Sequence, residues 1–495
     1  MPNDFYILSI LVFLPVAGCL LLATVWRRPG LVRILALAIG LAELALTGWI
    51  LFVTPTMPGS VPLPGFFLWE DTAWIERFGI RYTVGMDGIS LLMALLTAFV
   101  TVVAMLVSWR GIRERVALHY TLLLVMETGV MGVFLSLDLF LFYLFWEVML
   151  IPMFFLIGIW GHGRRIYSAV KFFLYTLAGS LLMLLAIIGL YLIHGAQSGV
   201  YSFALPLLLQ TRLATDVSLW LFGAFFIAFA IKVPLFPLHT WLPDAHTDAP
   251  TAGSVILAGL LLKTGAYGLI RFGCPLFPEA ARTFAPLIAT LAVIGIIYGS
   301  WVAYAQTDMK RLVAYSSVGH MGFVALGIAA WTPIALSGSV LQMVNHGVTT
   351  SALFALVGML DERADTREIA AFGGLWGKIP IFAFCFLLVA MASAGLPGLN
   401  NFTGEFLILA GTFRVIPLAA ILAFIGIILP LVYTVRLLQE LLFTTERRPL
   451  QLADLSLREG ILMSGLCAAI VCLGVYPAPF LNLLRAPVMF LTVGR

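Results

Sequence analysis

The sequence predicts an all-α polytopic membrane protein, and three observations carry that prediction. The 495-residue chain is 62% hydrophobic and 11% charged, where a soluble domain has roughly 45–50% apolar and about 25% charged residues. Its apolar stretches are long aliphatic runs rather than alternating ten-residue segments, which favours spanning helices over a barrel. A span needs roughly 20 apolar residues, so with short loops the chain holds about 14. This composition excludes a cytosolic enzyme, a secreted disulfide scaffold and a disordered tail. Cys19, Cys274, Cys385, Cys467 and Cys472 lie apart in apolar segments without CxxC spacing and read as small hydrophobes.

In chain order, the apolar runs between charged or Gly/Pro/Asn breaks place spans at 5–25, 31–53, 86–109, 115–136, 138–160, 167–194, 217–240, 249–272, 283–305, 309–331, 333–360, 379–412, 415–441 and 457–484. The first has no basic n-region or small-residue cleavage site and reads as a retained helix rather than a signal peptide. The connections 54–85, 195–216, 361–378 and 442–456 are too short to build a core of their own. Basic residues alternate from loop to loop. Arg27, Arg28 and Arg33, then Arg110, Arg113 and Arg115, Arg164 and Arg165, Lys310 and Arg311, Arg363, Arg367 and Lys378, and Arg447, Arg448 and Arg458 fall on one side. That side should be cytoplasmic, with both termini outside. The bases are topological, not a nucleic-acid patch.

A charge at the bilayer centre costs about 2.5–3.5 kcal/mol on insertion scales and is usually functional. Glu127 (VMETGVM), Glu147 (FYLFWEVMLIPMFF), Lys232 (FFIAFAIKVPLFP), Lys263 (SVILAGLLLKTGAYG) and Glu405 (NFTGEFLILAG) all sit inside such runs. They must pair or line water. Lys171, Arg271 and Arg436 lie near span ends and read as snorkelling side chains. Glu43 reads as facing an accessory subunit. A buried lysine beside a glutamate is a proton switch, because burial favours the neutral amine and the carboxylate favours the ammonium.

Two segments cannot continue a regular helix. Lys232 is followed by prolines 234, 237, 243 and 250, with His239 and His246 among them; GLPGLNNFTGEF at 395–406 breaks the chain just before Glu405. Irregular backbone at membrane depth survives only inside protein or lining water. Paired breaks beside charges are the pattern of inverted-repeat transporters, here spans 4–8 and 9–13 with spans 7 and 12 broken. The expected organisation is an N-terminal group of three spans (1–110), repeats at 111–275 and 276–441, and a C-terminal loop and span (442–495). His320 and His346 lie in spans among Ser316, Ser317, Asn345, Thr349 and Thr350, a polar seam suited to proton relay. No Walker A, no GxGxxG after a strand and no cysteine cluster is present, so redox or nucleotide chemistry falls to partners.

The motifs VGMDGISLLM (84–93), FYLFWEVMLIPMFFLIGIWG (142–161), the Lys232–Arg271 stretch, DMKRLVAYSSVGHMG (308–322) and GLPGLNNFTGEF (395–406) resemble the antiporter-like subunits of respiratory complex I. The same family includes Mrp cation/proton antiporter subunits and membrane-bound hydrogenase subunits. Glu405 in span 12, where L, N and Mrp relatives carry lysine, and the short tail beyond the last span resemble the M-type branch. The resemblance implies that Glu147 and Lys232 form the first half-channel pair, Lys263 the central relay and Glu405 the end of the second half-channel. His239, His320 and His346 would belong to the polar axis, and Glu127 to a secondary fourth-helix carboxylate. It implies no cofactor in this chain. FMN, iron–sulfur clusters and quinone would sit in partner subunits, reached through L- and N-type neighbours in a bacterial inner membrane. A Mrp-type antiporter, a hydrogenase- or formate-linked complex and a haem- or quinone-binding protein are the rivals.

Overall fold

The long aliphatic runs supply the roughly 20 apolar residues that a spanning helix needs. The computed structural model describes residues 6–53, 63–447 and 450–492. Residue 5 of the first expected span, residues 54–62 of the first long connection and Arg448 lie outside them. The bundle comprises α1 (Ile7–Thr24), α2 (Pro29–Val53), α3 (Gly88–Gly111), α4 (Val116–Leu135), α5 (Leu139–Trp160), α6 (Arg165–Ser198), α7 (Thr215–Lys232), α8 (Trp241–Asp248), α9 (Thr251–Leu276), α10 (Pro278–Tyr304), α11 (Met309–Ala330), α12 (Pro333–Ala364), α13 (Pro380–Ser393), α14 (Asn400–Phe413), α15 (Pro417–Phe443), α16 (Leu457–Val475) and α17 (Ala478–Thr492). Thirteen of these are long and apolar enough to cross a membrane. The shorter helices α13 and α14 lie on either side of the break expected in span 12.

The expected breaks in spans 7 and 12 are both present, while the last span and the connection before α3 differ from the expectation. Span 7 ends at Lys232, because Pro234 and Pro237 prevent continuation, and α8 resumes at Trp241. Span 12 is interrupted between Ser393 and Asn400, where Gly395 (φ 77°) and Gly398 (φ 91°) adopt left-handed conformations. The last span stops at Val475, and α17 is a separate short helix. The fold is also not purely helical. Phe66–Ile75 (β1) and Ile80–Asp87 (β2) form an antiparallel hairpin turned through Gly79 in the left-handed region. The apolar–polar alternation of a strand is short there and was hidden among loop-like charges.

Packing sorts the helices. α9 and α12 are enclosed on all sides and α11 nearly so, whereas α1, α2 and α6 keep most of their apolar surface outward. α12 is the hub, touching α3, α9, α11, α13, α14, α16 and α17. Glycines let it approach α14 closely: a Cβ at Gly411 would lie 2.4 Å from Ala335 N, and one at Gly338 2.7 Å from Ile408 N. Small residues at such crossings are how helices pack in lipid. The loops carrying the numerous arginines meet on one face, through the bridge Asp308–Glu368 and the bond from His162 N to Asp248 O. The hairpin gathers the other face, through Leu137 N to Thr83 O and Leu205 N to Leu137 O.

Arg271 does not snorkel. It is 3% exposed and its Nη2 lies 2.6 Å from Asp87 Oδ2. Lys171 pairs with Asp244 at 2.7 Å, and Arg436 donates to Tyr304 O over the Tyr304 ring.

Candidate functional site

The three most enclosed helices, α9, α11 and α12, together with α14 bring Lys263 of the first half to the histidines and Glu405 of the second. In α9, residues Leu257–Leu261 form a wider π-type turn, which frees carbonyls from the i→i−4 ladder. Lys263 Nζ donates to one of them, Ala258 O, and lies 2.6 Å from His346 Nδ1 on α12. With the amine charged, Nδ1 accepts and the ring hydrogen sits on Nε2, which has no protein partner. The His346 ring is 5.6 Å from that of His320 on α11. His320 Nδ1 in turn lies 2.8 Å from Glu405 Oε1 on α14, and the same oxygen accepts from Gln342 Nε2 at 3.0 Å. Lys263, His346, His320 and Glu405 therefore form one buried run across four helices.

The break before Glu405 is held by side chains rather than by helix. Asn345 Nδ2 donates to Asn400 O (2.7 Å), while Asn400 Nδ2 donates to Asn345 O (3.0 Å) and Thr349 Oγ1 (2.9 Å). This pinning of α14 onto α12, with Gly404 against Gln342, sets where Glu405 points. Gln342 was not singled out in the sequence. It precedes His346 by four residues, so the two share one face of α12, and that i, i+4 relation was the available signal.

The first half is arranged differently. Lys232 ends α7, and its ammonium rests over the rings of Trp146 (5.1 Å) and Phe172 (5.7 Å). Its Nζ has no hydrogen-bond partner, and neither has Glu147 Oε1. The Glu147–Lys232 pair is thus open: the cation is held by the aromatic face next door. α7 and α9 touch beside it, since a Cβ at Gly265 would lie 2.9 Å from Lys232 Cβ. His239 lies in the unwound segment after Lys232, with its ring between Phe236 (5.7 Å) and Tyr298 (5.2 Å) and its Nδ1 unpartnered. His246 stacks on Phe354 at 4.7 Å with both nitrogens unpartnered. No described hydrogen bond joins either histidine to the Lys263–Glu405 run. Glu127 is also off the run, buried on α4 and facing Glu43 of α2. Glu43 therefore faces the chain's own interior rather than outward.

On the arginine-rich face a cavity of about 600 Å³ is lined by Asp308, Asp361, Glu362, Asp365 and His162. Burial, followed by the nearby positive charge of Lys310, holds the His162 imidazole below its ordinary range. Lys310 itself is buried, with its Nζ 2.8 Å from Ala249 O.

A glutamine at position 342 is expected to matter through Glu405 alone. Gln342→Met removes one donor from the carboxylate and should lower coupled proton movement by about tenfold, the equivalent of about 1.4 kcal/mol. Vesicle acidification assays of the assembled complex measure this, and an unchanged rate would dismiss the contact as incidental.

Comparison with known proteins agrees with this architecture. The family model described as NADH:quinone oxidoreductase/Mrp antiporter, TM, matches residues 136–429. NADH-quinone oxidoreductase subunit M of Pseudomonas aeruginosa is 48% identical over 86% of this chain and 84% of its own length. A chain in the structure of respiratory complex I from Thermus thermophilus with bound NADH is 32% identical, covers 98% of this chain and 99% of its own, and superposes with a TM-score of 0.88. A chain of the Mrp complex from Dietzia sp. shares the fold (TM-score 0.84, 99% and 98% coverage) at 19% identity. A family match over more than half of the chain, together with a relative this similar over most of both lengths, shows that the chain belongs to the NADH:quinone oxidoreductase/Mrp antiporter family of membrane subunits.

Proposed function

We propose that this chain is a proton-translocating membrane-arm subunit of an NADH:quinone oxidoreductase, of the subunit M type. The observation that carries the reading is the buried run Lys263–His346–His320–Glu405, whose members bear exchangeable protons and pass from one half of the bundle to the other. The chain itself holds no redox centre. FMN, iron–sulfur clusters and quinone belong to partner subunits, with L- and N-type neighbours in the bacterial inner membrane. The arginine-rich loops face the cytoplasm and both termini the outside. The organisation is three leading spans, two five-span units (111–275 and 276–441) and a C-terminal span, so that the breaks at Lys232 and Glu405 occupy matching places.

In this reading protons enter from the acid-lined cavity on the cytoplasmic face. Quinone chemistry elsewhere alters the field at Glu147. Closing the Glu147–Lys232 pair draws the Lys232 ammonium off Trp146, and the changed charge beside α9 alters how firmly Lys263 holds its proton. Lys263 releases it to His346, and His320 and Glu405 carry it onward. Moving one charge against 100 mV costs about 2.3 kcal/mol, and a two-unit change in proton affinity supplies about 2.7 kcal/mol. His239 and Glu127 act beside this route rather than within it.

Lys232→Ala and Glu405→Ala should each abolish acidification by reconstituted complex while NADH oxidation at the peripheral arm persists. Full pumping by either variant sinks the mechanism. The shared fold with the Mrp complex makes sodium/proton exchange the second reading. Glu405 argues against it, and activity that requires sodium would favour it. Co-purification of hydrogenase or formate-linked subunits in place of NADH-oxidising ones would redirect the reading to those complexes.

A further inference from the structure

A second set of buried acids lies outside the Lys263–Glu405 run. Glu43 on α2 and Glu127 on α4 are both 0% exposed, and their carboxyl groups face one another where α2 and α4 pack. All four carboxyl oxygens lack a protein hydrogen-bond partner. The α3 residue Thr101, equally enclosed, turns an unpartnered hydroxyl toward Glu127. The other titratable group beside them is Cys19 of α1, whose thiol lies against the Thr121 carbonyl. Among the described residues no lysine, arginine or histidine bears on either carboxyl.

That arrangement has a definite chemistry. Two carboxylates at membrane depth without a cation cannot both be ionised, since each is desolvated and each repels the other. One proton between them converts the repulsion into an O–H···O⁻ hydrogen bond, a charge-assisted and strong kind. A glutamate pair buried where the mostly outward-facing α2 packs on the largely enclosed α4 would be needless for packing alone, where leucine serves better.

We propose that Glu43 and Glu127 form a single proton-binding site in which one proton is held between the two carboxyls at the α2–α4 contact, apart from the Lys263–Glu405 run. Its ligand is a proton, with the Thr101 hydroxyl as a further donor to the charged oxygen. The site holds its proton inside the bundle, where α2 packs on α4.

Infrared difference spectra of the intact complex in H₂O and D₂O test this, using wild type, Glu43→Gln, Glu127→Gln and the double variant, with native electrophoresis confirming equal assembly. The carboxylic-acid carbonyl band is the readout. After subtraction of the double variant, wild type and each single variant should show equal acid-band areas, because a lone buried glutamate keeps the one proton. The wild-type band should lie lower in frequency and shift back to that of an isolated acid when its partner is removed. A wild-type area about twice that of either single variant means two independent neutral acids and overturns the proposal. No acid band in wild type, or a band that appears only when sodium is withdrawn, means a bound cation and overturns it as well. The readout needs no proton pumping, so its outcome is independent of whether the Lys263–Glu405 route is correct.

Discussion

Replacing Lys263 with arginine is expected to stop proton translocation while leaving the complex assembled. Arginine keeps a positive charge and can still reach an acceptor, but it does not give up its proton in a protein. The run from Lys263 to Glu405 then keeps its electrostatics and loses its donor. Lys263→Ala should fail too, for a mixed reason: Ala258 O and His346 Nδ1 lose their shared donor, at about 1–3 kcal/mol for each buried group left unpaired. The arginine variant therefore separates relay from scaffold. Acidification of vesicles driven by NADH should fall at least about tenfold, which is about 1.4 kcal/mol of barrier. Wild-type acidification by Lys263→Arg would show that a fixed charge suffices there and that the proton takes another route.

What the sequence disclosed and what it withheld follow from the range of the interactions. Glu127, Glu147, Lys232, Lys263 and Glu405 stand out because a charge inside an apolar run is improbable on energetic grounds alone, a test that needs only near neighbours in the chain. The helix breaks were legible for the same reason, since proline and glycine act on their own backbone. The partners were not. Lys263 meets His346 83 residues away, and His320 meets Glu405 85 residues away, so which histidine served which charge required the packing of α9, α11, α12 and α14. The same limit produced the misreading of Arg271. A cation near a span end normally snorkels, and only the hairpin, itself unforeseen, delivers Asp87 from 184 positions earlier. The Glu147–Lys232 pair shows a third limit. Residue types establish that the two can pair, whereas Trp146, adjacent in sequence to the glutamate, competes for the ammonium and leaves the pair open.

Arg271→Met is expected to cost about 3–5 kcal/mol, the penalty of leaving a buried carboxylate without its cation. Arg271 and Asp87 are 3% and 0% exposed. Asp87 also caps α3, accepting from Ser90 N at 2.9 Å, so its charge anchors the first enclosed helix. Arg271 Nε donates to the Tyr267 hydroxyl at 3.1 Å, and that hydroxyl donates to Phe134 O, the last turn of α4. The guanidinium further lies 4.9 Å from the centre of the Phe66 ring in β1. One side chain thus joins the hairpin, α3, α4 and α9 on the face away from the arginine-rich loops. Asn at position 87 keeps the cap and removes the charge, so Arg271→Met with Asp87→Asn should recover most of the loss. Asp87→Asn alone should be costly, because it strands the guanidinium. Thermal denaturation of purified complex, followed through the four corners of this double-mutant cycle, measures the coupling. Equal losses in the single Arg271→Met variant and the double variant would show that the ion pair does not hold the hairpin to the bundle.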